Sequence, residues 1–285
     1  MFDIADFPRI QALEYGGGPE VIVALHGWLD NAASFCHLAP FLEQNYRLIA
    51  LDLPGHGLSD HFTSSDAYLL THQLRWLRAV LEVISTRPVI LLGHSMGAAI
   101  AQLYSACFPE RVSKLISLDM LGSVSEDTKL FVKRLRKSTF EWKQSIERSR
   151  EPSQSMTTLY SSIDLMIERR SRLNNVPPKS ISEMVHRGAK QLGDGFTWSF
   201  DPKLLLTSPT YLSESQNRAM LSTIKTKSLF ILAKQGVIVS TLSYQSRLAS
   251  IPRSQVVELP WGHHQHLSHA DEVAYEITNW LMSFD

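Results

Sequence analysis

The sequence predicts an α/β protein with a mostly parallel central sheet flanked by helices. Three observations lead there: six short apolar runs each followed by Gly, Pro or Asp, helical apolar spacing between them, and a composition that supports a sizeable core. The chain has 285 residues, 44% hydrophobic and 20% charged. That is about twice the commonest domain size, so it is one large α/β domain or a domain carrying an insertion.

The runs at 21–25, 47–51, 89–92, 114–118, 228–232 and 255–259 are short, apolar and rich in β-branched residues. Such runs suit strands buried on both faces, as in a parallel sheet. Between the second and third, Leu70, Leu74, Leu77, Leu81 and Ile84 recur at spacings of four, three, four and three. This is one stripe of a helix, capped near Ser65 or Asp66. Residues 98–107, rich in small residues, are expected to form a further helix, and 272–282 a third. Strands alternating with helices bury a sheet between two helical layers.

Composition excludes several classes. Disorder and fibrous architecture do not fit the apolar content. Lys plus Arg and Asp plus Glu number 28 each, which argues against nucleic acid as the main partner. No apolar run approaches the ~18 residues of a membrane span. The first ten residues lack a basic region followed by an apolar run, so a secretory signal is not expected and a cytoplasmic location is. Cys36 and Cys107 are too few for a disulfide framework and are expected to be small buried hydrophobes. The zero net charge hides an asymmetry. Residues 123–227 hold 18 basic and 11 acidic residues and the remainder 10 and 17, which suggests an inserted module.

In parallel sheets ligands gather beyond the carboxyl ends of the strands. The run 89–92 leads into Gly93-His94-Ser95-Met96-Gly97, and an alanine-rich helix follows at once. A strand–turn–helix G-x-S-x-G holds its serine in a strained turn with the hydroxyl exposed, as a nucleophile requires. A serine hydroxyl needs a base. Four of the chain's 11 histidines lie just past the last strand, in Trp261-Gly262-His263-His264-Gln265-His266-Leu267-Ser268-His269. His263 is best placed to reach back to Ser95. No carboxylate or cysteine with ligand spacing joins the cluster, so no metal is expected. Acyl transfer also needs backbone N–H donors for the oxyanion. Met96 supplies one, and Trp28, in the loop His26-Gly27-Trp28-Leu29-Asp30-Asn31, the other. Asp52 and His56, in the loop 52–59, are read as shaping that loop.

The segments LHGW, DLPGHGLS, GHSMG and GHHQHL, in this order, resemble the α/β-hydrolase superfamily over residues 10–120 and 226–284. HGWLDNAASF with the His-rich ending resembles its serine hydrolase-like branch, related to meta-cleavage hydrolases and haloalkane dehalogenases. The resemblance implies the α/β-hydrolase fold, with a core of residues 1–122 and 226–285 and an inserted helical cap at 123–225. It also implies a triad acid in the turn after the strand at 228–232, where the matching position is Gly236; no Asp or Glu occurs between Glu214 and Glu258. Some family members take the acid from the end of the preceding strand, where this chain has Asp119. Ser95, Asp119 and His263 then follow the serine–acid–histidine order of the fold. An Asp introduced at position 236 is expected to change little while Asp119 is present.

The expected activity is a serine hydrolase cleaving carboxylic esters or related acyl compounds through an acyl-enzyme, without cofactor. Serine at the elbow argues against dehalogenase or epoxide-hydrolase chemistry, in which the family attacks with a carboxylate. Thioesters or carbon–carbon bonds are alternatives with the same machinery, and so is a non-catalytic member that only binds a ligand. The expected partner is a small acyl substrate; oligomeric state is not legible.

Overall fold

A computed structural model describes residues 1–4, 7–62, 68–149 and 158–284. The expected helix cap at Ser65 or Asp66 lies outside the described residues. The central sheet has seven strands: β1 (Ala12–Tyr15), β2 (Glu20–Leu25), β3 (Tyr46–Leu51), β4 (Val89–His94), β5 (Val112–Leu118), β8 (Lys227–Gln235) and β9 (Ser254–Gly262). Their spatial order is β1-β3-β2-β4-β5-β8-β9. All neighbours run parallel except β1, which pairs antiparallel with β3 from Ala12 opposite Leu51 to Tyr15 opposite Leu48. The sequence gives no sign of β1, because ALEY holds no apolar run and the strand lies at the sheet edge.

Alternate residues of each strand serve opposite faces. On one face Val23, Leu25, Ile49, Leu51, Leu91, Phe230 and Leu232 pack with α2 (Gln73–Ile84) and α3 (Met96–Cys107). On the other, Ile22, Ala24, Leu48, Ala50, Ile90, Leu92 and Ile231 meet α1 (Ala39–Leu42) and α10 (Ala270–Met282). Buried strand residues on both faces are what made these strands read as continuous apolar runs.

Between β5 and β8 lie α4 (Phe131–Ser149), α5 (Ile163–Asn174), α6 (Pro178–Gly188) and α7 (Glu214–Thr223). The segment also contains the antiparallel hairpin β6 (Ala189–Leu192) and β7 (Gly195–Trp198), so it is not wholly helical. Helices α5 and α6 share a small core of their own, Met166, Val176, Ile181, Met184 and Val185, seated on Ala33. Leu221 of α7 and Ile224 just beyond it instead join the core beneath α3. Two short helices, α8 (Tyr244–Leu248) and α9 (Gln265–Ser268), flank β9.

The cysteines depart from expectation. Cys36 is half-buried and Cys107, the last residue of α3, is exposed. Among the described residues no helix is long and apolar enough to cross a membrane.

Candidate active site

Ser95 sits between β4 and α3 with φ +51° and ψ −118°, a conformation that β-carbon-bearing residues rarely adopt. The turn leaves no room around it. A Cβ on Gly93 would lie 2.4 Å from the Ala98 Cα, and one on Gly97 would lie 2.0 Å from the Leu25 carbonyl oxygen. Those close approaches bring the start of α3 against the end of β2. The Ser95 amide donates to the Leu118 carbonyl at 3.0 Å, which ties the elbow to β5 as well.

His263 follows β9 and is partly exposed. Its Nε2 lies 3.0 Å from the Ser95 Oγ and its Nδ1 2.5 Å from the Asp119 Oδ2. Asp119 is fully buried, immediately past β5, with φ +45°. Its amide donates to the Ile231 carbonyl at 2.8 Å, and its Oδ1 accepts from the Ala233 amide at 2.9 Å. The carboxylate is therefore fixed from β8 on one side and meets the imidazole on the other. The loop after it is equally constrained. Gln102 donates to the Met120 carbonyl and accepts from the Gly122 amide, while Arg247 donates to the carbonyls of Leu121 and Ser123.

Of the two expected oxyanion donors, Met96 opens α3, whose first-turn amides have no partner within the helix. Trp28 lies in the loop after β2 beside Leu29, which has φ +60°. Its ring is half-exposed, and its indole N–H donates to the Leu204 carbonyl at 3.1 Å. A Cβ on Gly27 would lie 2.9 Å from the His94 Nδ1, so this loop packs directly on the elbow.

Beneath His263 lies a buried polar layer that sequence reading missed. His94 Nε2 donates to the His263 carbonyl at 3.1 Å, and its Nδ1 stands 3.6 Å from the Asp30 Oδ2. Arg170 of α5 donates to the Asp30 Oδ1 at 2.7 Å. Burial would raise the Asp30 pKa, but His94 and the Arg170 charge hold it well below the usual carboxylate range. His266 is fully buried with its Nε2 2.8 Å from the Ser34 hydroxyl, and the Asn174 amide donates to His264 Nε2 at 3.1 Å. Burial pushes His94 and His266 down, and His264 down to about 3. His269 departs from this group and stacks on Trp261. The four clustered histidines thus divide into one that faces Ser95, two that pack and one on a tryptophan.

Ring nitrogens of His94, His263 and His264 lie within 4.8 Å of one another, the one such trio of potential metal ligands among the described residues. His263 already has both nitrogens on Ser95 and Asp119, so an ion there would compete with the serine.

Asp52 and His56 hold loops. Asp52 is fully buried and accepts from the amides of Ala32 at 2.7 Å and Leu58 at 2.9 Å and from the Arg187 guanidinium at 2.8 Å. His56 is pushed down to about 3 by burial.

Comparison with known proteins gives concordant results. The profile of the alpha/beta hydrolase fold family matches residues 20–270. A serine hydrolase-like protein of Danio rerio is 28% identical over 266 residues, covering 91% of this chain and 81% of that protein. Serine hydrolase-like protein 2 of Homo sapiens is 29% identical over 282 residues, covering 93% and 87%. Among solved structures, a hypothetical protein from Pseudomonas aeruginosa PAO1 superposes with a TM-score of 0.88 at 28% identity, covering 98% of both chains. The thioesterase domain from the curacin biosynthetic pathway superposes with a TM-score of 0.83 at 21% identity, covering 97% of both, a likeness of fold.

Proposed function

The chain belongs to the alpha/beta hydrolase fold family, and we propose that it is a serine hydrolase cleaving carboxylic esters through an acyl-enzyme formed on Ser95. The observation that carries this reading is the unbroken hydrogen-bonded path from the Ser95 Oγ through both nitrogens of His263 to the Asp119 carboxylate. Survival of the whole path, on a strained elbow, speaks against a member that only binds its ligand.

In this reading Ser95 Oγ attacks the ester carbonyl while His263 Nε2 takes its proton. Asp119 accepts the Nδ1–H of His263, which fixes the tautomer with a free Nε2 and stabilises the imidazolium as it forms. The backbone amides of Met96 and Trp28 face the oxyanion, and the imidazolium returns its proton to the departing alcohol. A water then repeats the sequence on the acyl-enzyme, releasing the acid and restoring Ser95. None of these steps calls on a metal or cofactor. Residues 123–225 serve as the cap that selects the substrate, since α5 and α6 stand on the loops that follow β2 and β3.

Purified protein assayed on short- and long-chain acyl esters, with an acyl-CoA thioester in parallel, tests the reading. Ester turnover is expected, and Ser95→Ala is expected to reduce it to at most the ~10³-fold over water that an oxyanion hole alone sustains. The variant should stay folded, because only a partly exposed hydroxyl is lost. Turnover confined to the thioester moves the substrate class, and near-native turnover by Ser95→Ala removes the mechanism.

A further inference from the structure

Gly236 lies in the turn after β8, at the position where the resemblance implies an acid and this chain has none. A Cβ built there would fall 2.3 Å from the Asp119 Oδ2, 2.7 Å from its Oδ1 and 2.8 Å from its Cγ, all inside ordinary contact. The turn itself closes on the carboxylate: the Gly236 amide donates to the Ala233 carbonyl at 2.9 Å, and the Ala233 amide donates to the Asp119 Oδ1 at 2.9 Å. Gly236 is not among the left-handed residues, so its backbone accepts alanine without strain. What forbids a side chain at position 236 is the carboxylate of Asp119.

We infer that Gly236 is a positioning residue for the hydrolytic site: its missing side chain is the space in which Asp119 holds His263, so any side chain at 236 and the Asp119 carboxylate exclude one another. The atom that must yield to a Cβ is the end of a side chain, whereas the backbone on both sides is hydrogen-bonded in place. Asp119 Oδ2 is the oxygen on His263 and Oδ1 the one on Ala233, so displacement breaks the orienting bond first. The cost therefore falls on the activity more than on the fold. The expectation that an Asp at 236 is harmless beside Asp119 is corrected by the same distances: two carboxylates would claim one fully buried place, and like charges there are strongly unfavourable.

The inference rests on the hydrolase reading, and a double-mutant cycle with a spectroscopic arm separates the two. Gly236→Ala is expected to lower kcat at least tenfold with KM unchanged, and to cost nothing further in an Asp119→Ala background, where the colliding atoms are gone. Gly236→Asp in that background should raise kcat above Asp119→Ala alone. In parallel, the far-downfield proton resonance of the His263 Nδ1–H, assigned by its loss in His263→Ala, should be present in the wild type and absent in Gly236→Ala. This arm needs no turnover, so it decides the inference even if no ester is cleaved. Native kcat with a retained resonance in Gly236→Ala overturns the inference, as does a loss that repeats in full in the Asp119→Ala background. If Gly236→Ala does not fold, the Asp119→Ala/Gly236→Ala double variant should fold. Its failure to do so would mean that the turn, not the carboxylate, demands glycine.

Discussion

Asp119 combines complete burial, a left-handed backbone and two hydrogen bonds that fix its carboxylate, one of them to His263. An amide of the same shape keeps the packing but can present an N–H to Nδ1, which selects the wrong imidazole tautomer. Asp119→Asn is therefore expected to remain folded and to lose kcat by on the order of 10³- to 10⁴-fold, measured on a good ester. A loss below about tenfold would make Asp119 a structural residue. Ser95 and His263 were legible because each follows a strand in a local pattern a few residues long. Asp119 was legible only through the family resemblance, which allows the acid at the end of the preceding strand once the stretch from Glu214 to Glu258 holds none. The layer of Asp30, His94 and Arg170 was not legible at all. Asp30 and Arg170 are 140 residues apart, and nothing local marks either as the other's partner.

At the scale of elements, the segment between β5 and β8 is fastened to the sheet by polar contacts that cross from α5 and α6. Arg170 meets Asp30, Arg187 meets Asp52, and the Asn31 amide donates to the Met184 carbonyl at 2.7 Å. Asp52 is fully buried and the Arg187 side chain is only 13% exposed. Removing one partner of such a pair strands the other's charge, a loss of about 3–5 kcal/mol. Arg187→Ala should therefore lower the urea midpoint of unfolding, and Arg187→Met/Asp52→Asn should recover part of the loss. Equal midpoints for Arg187→Ala and wild type would show that the contact carries no net stability. The strands were legible because they are buried on both faces, and α2 because its stripe meets the core. Strand β1 and the hairpin β6–β7 were not, since neither has an apolar run to announce it.

Across the described residues, five histidines, four buried and His264 half-buried, have lowered pKa values: His26 at about 4, His56 and His264 at about 3, and His94 and His266 below the ordinary value of 6.5. Burial is the first cause in each. Between the unfolded value and these folded values the unfolded chain binds more protons, so stability falls as pH falls. The depressed Asp30 acts in the same sense but only near and below the ordinary value of 3.8, so the histidines govern the window above it. Tm is expected to be level above about pH 7 and to fall steadily from pH 6.5 toward pH 4, steeper than surface histidines allow. A flat Tm across that window would show that these rings are not held neutral by the fold. The fold class and its strand order of chemistry were legible because periodicity and turn residues are local; the buried histidine layer was not, because the folded molecule alone decides which ring loses its water. The central claim is that His263 and Asp119 activate Ser95 as a nucleophile, and intact-mass analysis after incubation with a fluorophosphonate tests it most directly. Wild type is expected to gain one adduct, at Ser95 with loss of fluoride, and folded His263→Ala to gain none on the same timescale; folded wild-type protein that stays unlabelled, or is labelled at another residue, would contradict it.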